Sequence, residues 1–325
     1  MSLPVLGIDV SKNKLHLALL KSEQDKPLHK TCEHSSSGYK EMVRWLEARK
    51  VGTVQVCLEA TGWEEEAAAQ ALVEAGHRVS LLNPHAVKQF ATVVSPRTKT
   101  DKRDAEVLAL YGLRNQADLK SWTPPLPEYV VLRERIRRRQ ALVEIRTQEL
   151  NRLHHDSVDP LVKKSLEEHV KYLDEQIKQL EREMDDHIDR HPGLKQKDEL
   201  LQSIVGVGPV TSAWFLAEAG TMVEYMDKPR QLLAYCGMSL RRRESGTSVR
   251  GRPKICKYGK REIRGALGMP AKTAIKHNPV VKDLAERLLA KNKHWGVVVG
   301  AAMCKLLTLM FVVVKKNRPF TTQIA

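Results

Sequence analysis

The sequence predicts an α/β domain built on a mixed sheet, followed by regions made mostly of helix. Three observations carry that prediction. Strand-like and helix-like stretches alternate over the first 120 residues. The segment from Trp122 to Pro127 (WTPPLP) interrupts them with three prolines, which lack an N–H and cannot sit in a helix interior, so it reads as a linker. Beyond it, apolar residues recur at spacings of three and four, the period of amphipathic helices.

Residues 4–10 (PVLGIDV) and 14–20 (KLHLALL) read as adjacent strands joined by Ser11, Lys12 and Asn13, with a third strand around Cys32. A helix over 38–50 places Met42, Trp45 and Leu46 on one face. A buried strand (53–58), a helix (63–75), a strand (78–82) and helices near 85–93 and 103–114 follow. Three strands and then alternating helix and strand is the order of a mixed sheet covered by helices. The basic helix 128–155 opens with Arg133, Arg135 and Arg137, candidates for holding nucleic acid. A helix over about 160–190 carries Leu166, Val170, Leu173, Ile177, Leu180, Met184 and Ile188, a coiled-coil-like stripe that suits an intramolecular hairpin as well as a dimer seam. His191, Pro192 and Gly193 end it. Between Leu201 and Trp214, Gly206 and Gly208 permit a tight turn between two helices, like a helix-hairpin-helix, with packed helices around a plain glycine turn as the alternative. The expected division is 1–122, 123–193 and 194–325.

A chain of 325 residues can bury two or three cores. Its formal charge of +15 favours a polyanionic partner, because basic groups on phosphates release condensed counterions. The five cysteines form no C-x-x-C pair, so neither a zinc site nor a disulfide framework is expected, and a reducing cytosol is. The apolar stretch from Val297 to Val314 is interrupted by Lys305 and reads as a buried helix, so no membrane span is expected. The opening MSLPVLGIDVSK lacks the pattern of a secretory signal.

Two groups of residues carry chemistry. Asp9 lies late in the first strand, Glu59 at the end of the fourth, and Asp101 with Asp104 at a helix start, spaced to share a helix face. Carboxylates gathered at strand ends need cations, and an oxygen-only donor set suits Mg2+ for phosphoryl transfer. Taken singly, Asp9 could cap a turn and Asp101 could be a helix N-cap. The second group is residues 241–264 (RRRESGTSVRGRPKICKYGKREIR), ten basic residues against Glu244 and Glu262. Arg243, Arg250, Arg252, Lys254, Lys257, Lys260 and Arg264 are candidates to grip phosphates around Ser245, which reads as a nucleophile or as a hydroxyl donor in a phosphate-binding loop.

The motifs GIDVSK, LEATG (58–62), NP (83–84), TKTDKRDA (98–105) and ESGTSVRGRPKICKYGKREIRGALGMPA, in that order, resemble the DEDD transposases of bacterial insertion sequences, the bridge-RNA-guided serine recombinases. The resemblance implies a RuvC-like (RNase H-like) domain, a coiled-coil insert and a C-terminal transposase domain. It implies Mg2+ on Asp9, Glu59, Asp101 and Asp104, and Ser245 as nucleophile, with Ser248 less favoured. It also implies a covalent phosphoserine link, donor and target DNA, a structured guide RNA, a homo-oligomer, and a cytoplasmic, nucleoid-associated enzyme. Where many members carry S-K-R-G, this chain has Cys256, Lys257, Tyr258 and Gly259, which leaves the basic pattern intact. The competing expectations are a junction nuclease that uses water, for which Ser245 is dispensable, and a non-catalytic nucleic-acid-binding protein.

Overall fold

The structure is a computed structural model that describes residues 3–60, 64–94, 100–154, 159–241 and 253–322, and the backbone of 244–245 and 249–250. It divides into two units, residues 1–124 and 125–325.

In the first unit, β1 (Val5–Val10), β2 (Lys14–Leu20), β3 (Leu28–Glu33), β4 (Gln55–Glu59) and β5 (Arg78–Leu82) form one sheet in the order β3-β2-β1-β4-β5. β1, β2 and β3 run antiparallel through short connections, whereas β4 and β5 lie parallel to β1 because a helix intervenes before each. This is the RNase H-like arrangement. Leu6, Ile8, Leu15, Leu17 and Leu58 point to the face covered by α1 (Ser36–Glu47) and α2 (Glu64–Glu74), where they meet Met42, Leu46 and Leu72. Val5, Ala18, Leu20 and Cys57 point to the opposite face, covered by α3 (Pro84–Val94) and α4 (Asp101–Arg114). The alternation of side chains along each strand thus gives the sheet two buried faces.

The second unit is helical around a single large core. α5 (Pro127–Leu153) and α6 (Pro160–Arg190) form a hairpin, so the stripe along α6 is answered within the chain: Leu173 and Ile177 pack against Leu142. Met184 and Ile188 join the main core with Leu132 and Ile136. α7 (Pro192–Gln202) and α8 (Pro209–Ala219) flank the glycine turn, in which Gly206 takes a φ of +103° and an added Cβ would stand 2.9 Å from that of Ala274. α9 (Pro229–Tyr235), α10 (Arg261–His277), α11 (Pro279–Ala290) and α12 (Trp295–Lys316) complete the unit. α12 has the length and apolar character of a membrane span, but Leu306, Leu307, Met310 and Phe311 are buried in this core, as expected of an internal helix.

Candidate active site

The close approach of α4 to β1 is set by two glycines. A Cβ on Gly7 would stand 2.1 Å from the Ala105 carbonyl oxygen and 2.4 Å from the Ala109 nitrogen. A Cβ on Gly112 would stand 2.6 Å from Cys57 Sγ and 2.7 Å from Val5 Cγ1. Gly112 therefore lies over Val5, and Ala105 over Gly7, so α4 runs antiparallel to β1 and its N-terminus reaches the end of the strand that bears Asp9.

Sheet register does the rest. Ile8 pairs with Leu58, so one step further Asp9 lies beside Glu59 at the carboxyl ends of two parallel strands. Both side chains belong to the α4 face, since Gly7 and Cys57, two residues earlier, do. Asp101 and Asp104 lie in the first turn of α4. Asp9 and Glu59 thus stand side by side on one sheet face, and the first turn of α4, with Asp101 and Asp104, lies toward the same end of that face. The cap of α4 is Thr100, whose hydroxyl accepts from the Arg103 N–H at 3.2 Å, so Asp101 is not the N-cap. The turn after β1 is held by Ser11, whose amide and hydroxyl both donate to the Lys14 carbonyl at 2.9 Å.

The donors suit a hard divalent ion: oxygen only, at strand ends and an acidic helix start. Among the described residues, however, no three His, Cys, Asp or Glu side chains form a group that could hold one. Asp101 Oδ2 lies instead 3.4 Å from His16 Nε2. Burial pushes Cys57, the nearby thiol on this face, up to about 12, so it stays protonated at neutral pH.

Ser245 does not sit in an irregular loop. β6 (Leu240–Arg241) pairs with β9 (Lys254–Ile255), and β7 (Glu244–Ser245) with β8 (Val249–Arg250), both antiparallel. Along the chain β7 and β8 fall between β6 and β9, so the two pairings nest as a hairpin, with Ser245 opposite Val249. Its base is fastened to α9: the Cys256 N–H donates to the Ser239 carbonyl and the Lys257 N–H to that of Gly237, both at 2.9 Å. Gly259, at φ +150°, approaches so closely that a Cβ would stand 2.2 Å from the Tyr235 carbonyl oxygen. Arg243, Ser248 and Arg252 lie outside the described residues, and Ser245 and Arg250 are placed by backbone alone.

The remaining basic candidates divide. Lys254 and Lys257 are exposed. Arg264 instead braces the hairpin base, its Nη1 donating to the carbonyls of Cys236 at 2.8 Å and Gly259 at 3.0 Å. Arg137 Nη2 lies 2.7 Å from the carboxylate of Glu218, whose side chain is 1% exposed, and Lys260 Nζ lies 3.7 Å from the other oxygen of that carboxylate. Arg135 donates to the Glu183 carbonyl at 2.7 Å, and Arg133 is half-buried. Arg137 and Arg264 thus have structural work within the protein that the linear basic pattern did not reveal.

Sequence reasoning also missed His16, Thr31 and Glu218. His16 was findable: a hairpin about Ser11, Lys12 and Asn13 sets it opposite Asp9, and it interrupts an otherwise leucine-rich strand. Glu218 carried no such signal, since its partners stand 81 and 42 positions away along the chain.

An RNase H-like sheet with acidic strand ends, joined to a helical unit bearing a basic serine hairpin, defines a DNA recombinase of the transposase class. Residues 6–156 match the family model of the IS110-type DEDD transposases, and residues 198–286 match a model described as "Transposase IS116/IS110/IS902 family". The chain belongs to this IS110-type transposase family. It is also 28% identical, over its whole length and 99% of theirs, to the proteins named "Pilin gene-inverting protein" in Moraxella bovis and in Moraxella lacunata.

Proposed function

We propose that this enzyme is an RNA-guided DNA recombinase of an insertion sequence, joining and exchanging strands through a phosphoserine at Ser245 with Mg2+ on Asp9, Glu59, Asp101 and Asp104. The observation that supports the reading is Asp9 beside Glu59 at the ends of two parallel strands, with Asp101 and Asp104 in the first turn of the helix packed on the same face, in a chain whose Ser245 lies within a strongly basic segment. Magnesium there would supply Lewis-acid stabilisation of the phosphoryl oxygens. The chain supplies the other parts. Ser245 Oγ gives up its proton to a base and bonds to phosphorus, while the bond from phosphorus to one sugar oxygen breaks and that oxygen gains a proton. Attack by the exchanged strand's hydroxyl on the phosphoserine reverses those changes and frees Ser245. The flanking guanidinium and ammonium groups hold the extra negative charge of the transition state.

Transesterification conserves the phosphodiester, which suits exchange rather than destruction of strands. Inversion, the event named for the Moraxella relatives, is an exchange of this kind, whereas a water-using nuclease leaves open ends. Because base pairing to a guide would select the DNA sites, the protein needs only a basic, sequence-tolerant grip. The enzyme is proposed to act on DNA in the bacterial cytoplasm, as a homo-oligomer with a structured RNA encoded by its element.

The test is an adduct trap. Protein purified from cells carrying the whole element, given Mg2+ and DNA spanning an element end, should yield a protein–DNA adduct that survives boiling in detergent. Ser245→Ala should bind DNA as before and form no adduct, Ser248→Ala should retain it, and ribonuclease treatment of the protein before DNA is added should prevent its formation. Cleavage with no adduct, unchanged in Ser245→Ala, would make water the nucleophile.

A further inference from the structure

We infer that His16, backed by Thr31, is a positioning residue that holds the Asp101 carboxylate at the metal edge. The inference rests on the proposal that Asp101 is a metal ligand.

Asp9, His16 and Thr31 stand in a row across three adjacent strands, Asp9 directly opposite His16 and His16 directly opposite Thr31. Partners directly opposite in antiparallel strands project to the same face, so all three belong to the side on which α4 lies. The ring of His16 makes contacts at both nitrogens: Nε2 lies 3.4 Å from Asp101 Oδ2, and Nδ1 lies 3.4 Å from Thr31 Oγ1. The ring can therefore present an N–H to the carboxylate at Nε2 while Nδ1 faces the threonine hydroxyl.

The asymmetry of exposure gives the arrangement its direction. Asp101 is the first residue of α4 and its side chain is 62% exposed, whereas that of His16 is 21% exposed. The freely turning partner is the carboxylate and the anchored one is the ring. Both contacts, at 3.4 Å, are longer than an ordinary hydrogen bond, so the ring steers the carboxylate toward the edge that carries Asp9 without immobilising it. Partners that hydrogen-bond a metal ligand from outside the coordination shell typically change metal affinity 10–100-fold when removed.

Mn2+ binding to the full chain, followed through the electron paramagnetic resonance of the free ion, tests this without turnover. His16→Ala should weaken binding roughly 10–100-fold, Thr31→Val should weaken it in the same direction, and His16→Gln, whose amide nitrogen can stand where Nε2 does, should restore most of it. In the Asp101→Asn background, His16→Ala should change nothing further. The apo proteins should melt together. If the wild type binds Mn2+ and His16→Ala binds it equally well, or if His16→Gln is no better than His16→Ala, the positioning role is overturned and the metal site stands. If the wild type binds no Mn2+ at its carboxylates, the metal reading fails and this inference falls with it.

Discussion

At the scale of single residues, the most consequential side chain outside the carboxylate edge is Glu218. It is a carboxylate in the core of the helical unit, on α8, matched by Arg137 from α5 and approached by Lys260 at the base of the serine hairpin. A buried ion pair contributes little net stability compared with an apolar pair, but removing one partner leaves an uncompensated charge. Glu218→Ala is therefore expected to lower the stability of the helical unit by roughly 3–5 kcal/mol, read from urea denaturation, while Glu218→Gln costs less because it still accepts from Arg137. An unfolding midpoint unmoved by Glu218→Ala would show that Arg137 finds water instead. The pair also marks the limit of legibility at this scale. Asp9, Glu59, Asp101 and Asp104 could be read because each stands at the end of a recognisable element. Arg137 and Arg264 read as phosphate-binding because nothing local distinguishes an arginine aimed at a buried carboxylate or a carbonyl from one aimed at DNA.

At the scale of elements, the edge depends on how closely α4 can lie on β1. Gly7→Ala would drive a methyl group into the backbone of α4, at Ala105 and Ala109, where no side chain can turn aside. The helix must move outward, carrying Asp101 and Asp104 away from Asp9. The expected outcome is a destabilisation of about 1–3 kcal/mol, the usual range for overpacking, together with loss of strand cleavage and of Mn2+ binding, with the affinity of the helical unit for DNA unchanged. Retained Mn2+ binding in a folded Gly7→Ala protein would mean the carboxylates do not depend on this packing. Here the sequence was a good guide. Strand alternation in KLHLALL, the proline-rich break and the spacing along α6 each report a local period, and the elements appear where those periods place them. The nested hairpin that carries Ser245 was not legible, because its four strands are two residues each and its arginines and glycines show no alternation. The stripe on α6 was legible as a stripe but not in its partner. α5 supplies that partner, and a stripe encodes only that something apolar must cover it.

At the scale of the whole molecule, the charge of +15 is not spread evenly. Residues 1–124 carry 17 basic and 15 acidic side chains, whereas from Lys228 onward there are 22 basic and 4 acidic. The arginines of α5 do not add a second basic surface of comparable strength, because α6 answers them: Arg139 lies 2.6 Å from Glu181, and Arg146 lies 2.5 Å from Asp174. The four candidate metal carboxylates therefore belong to a nearly neutral unit, and the excess positive charge lies in the last hundred residues. Counterion release makes this measurable, since each phosphate neutralised contributes about 0.9 to the slope of log affinity against log salt. Lys254→Gln combined with Lys257→Gln, both exposed beside the serine hairpin, should reduce that slope by about 1.8 if each lysine engages a phosphate, and should leave the melting temperature where it was. Arg137→Gln should do the opposite: the slope of the folded protein stays the same while thermal stability falls, because its partner is Glu218 and not DNA. A slope unmoved by the lysine pair would mean that those side chains serve solubility and that the grip lies elsewhere on the basic segment. A slope lowered by Arg137→Gln at unchanged stability would return α5 to the nucleic-acid surface.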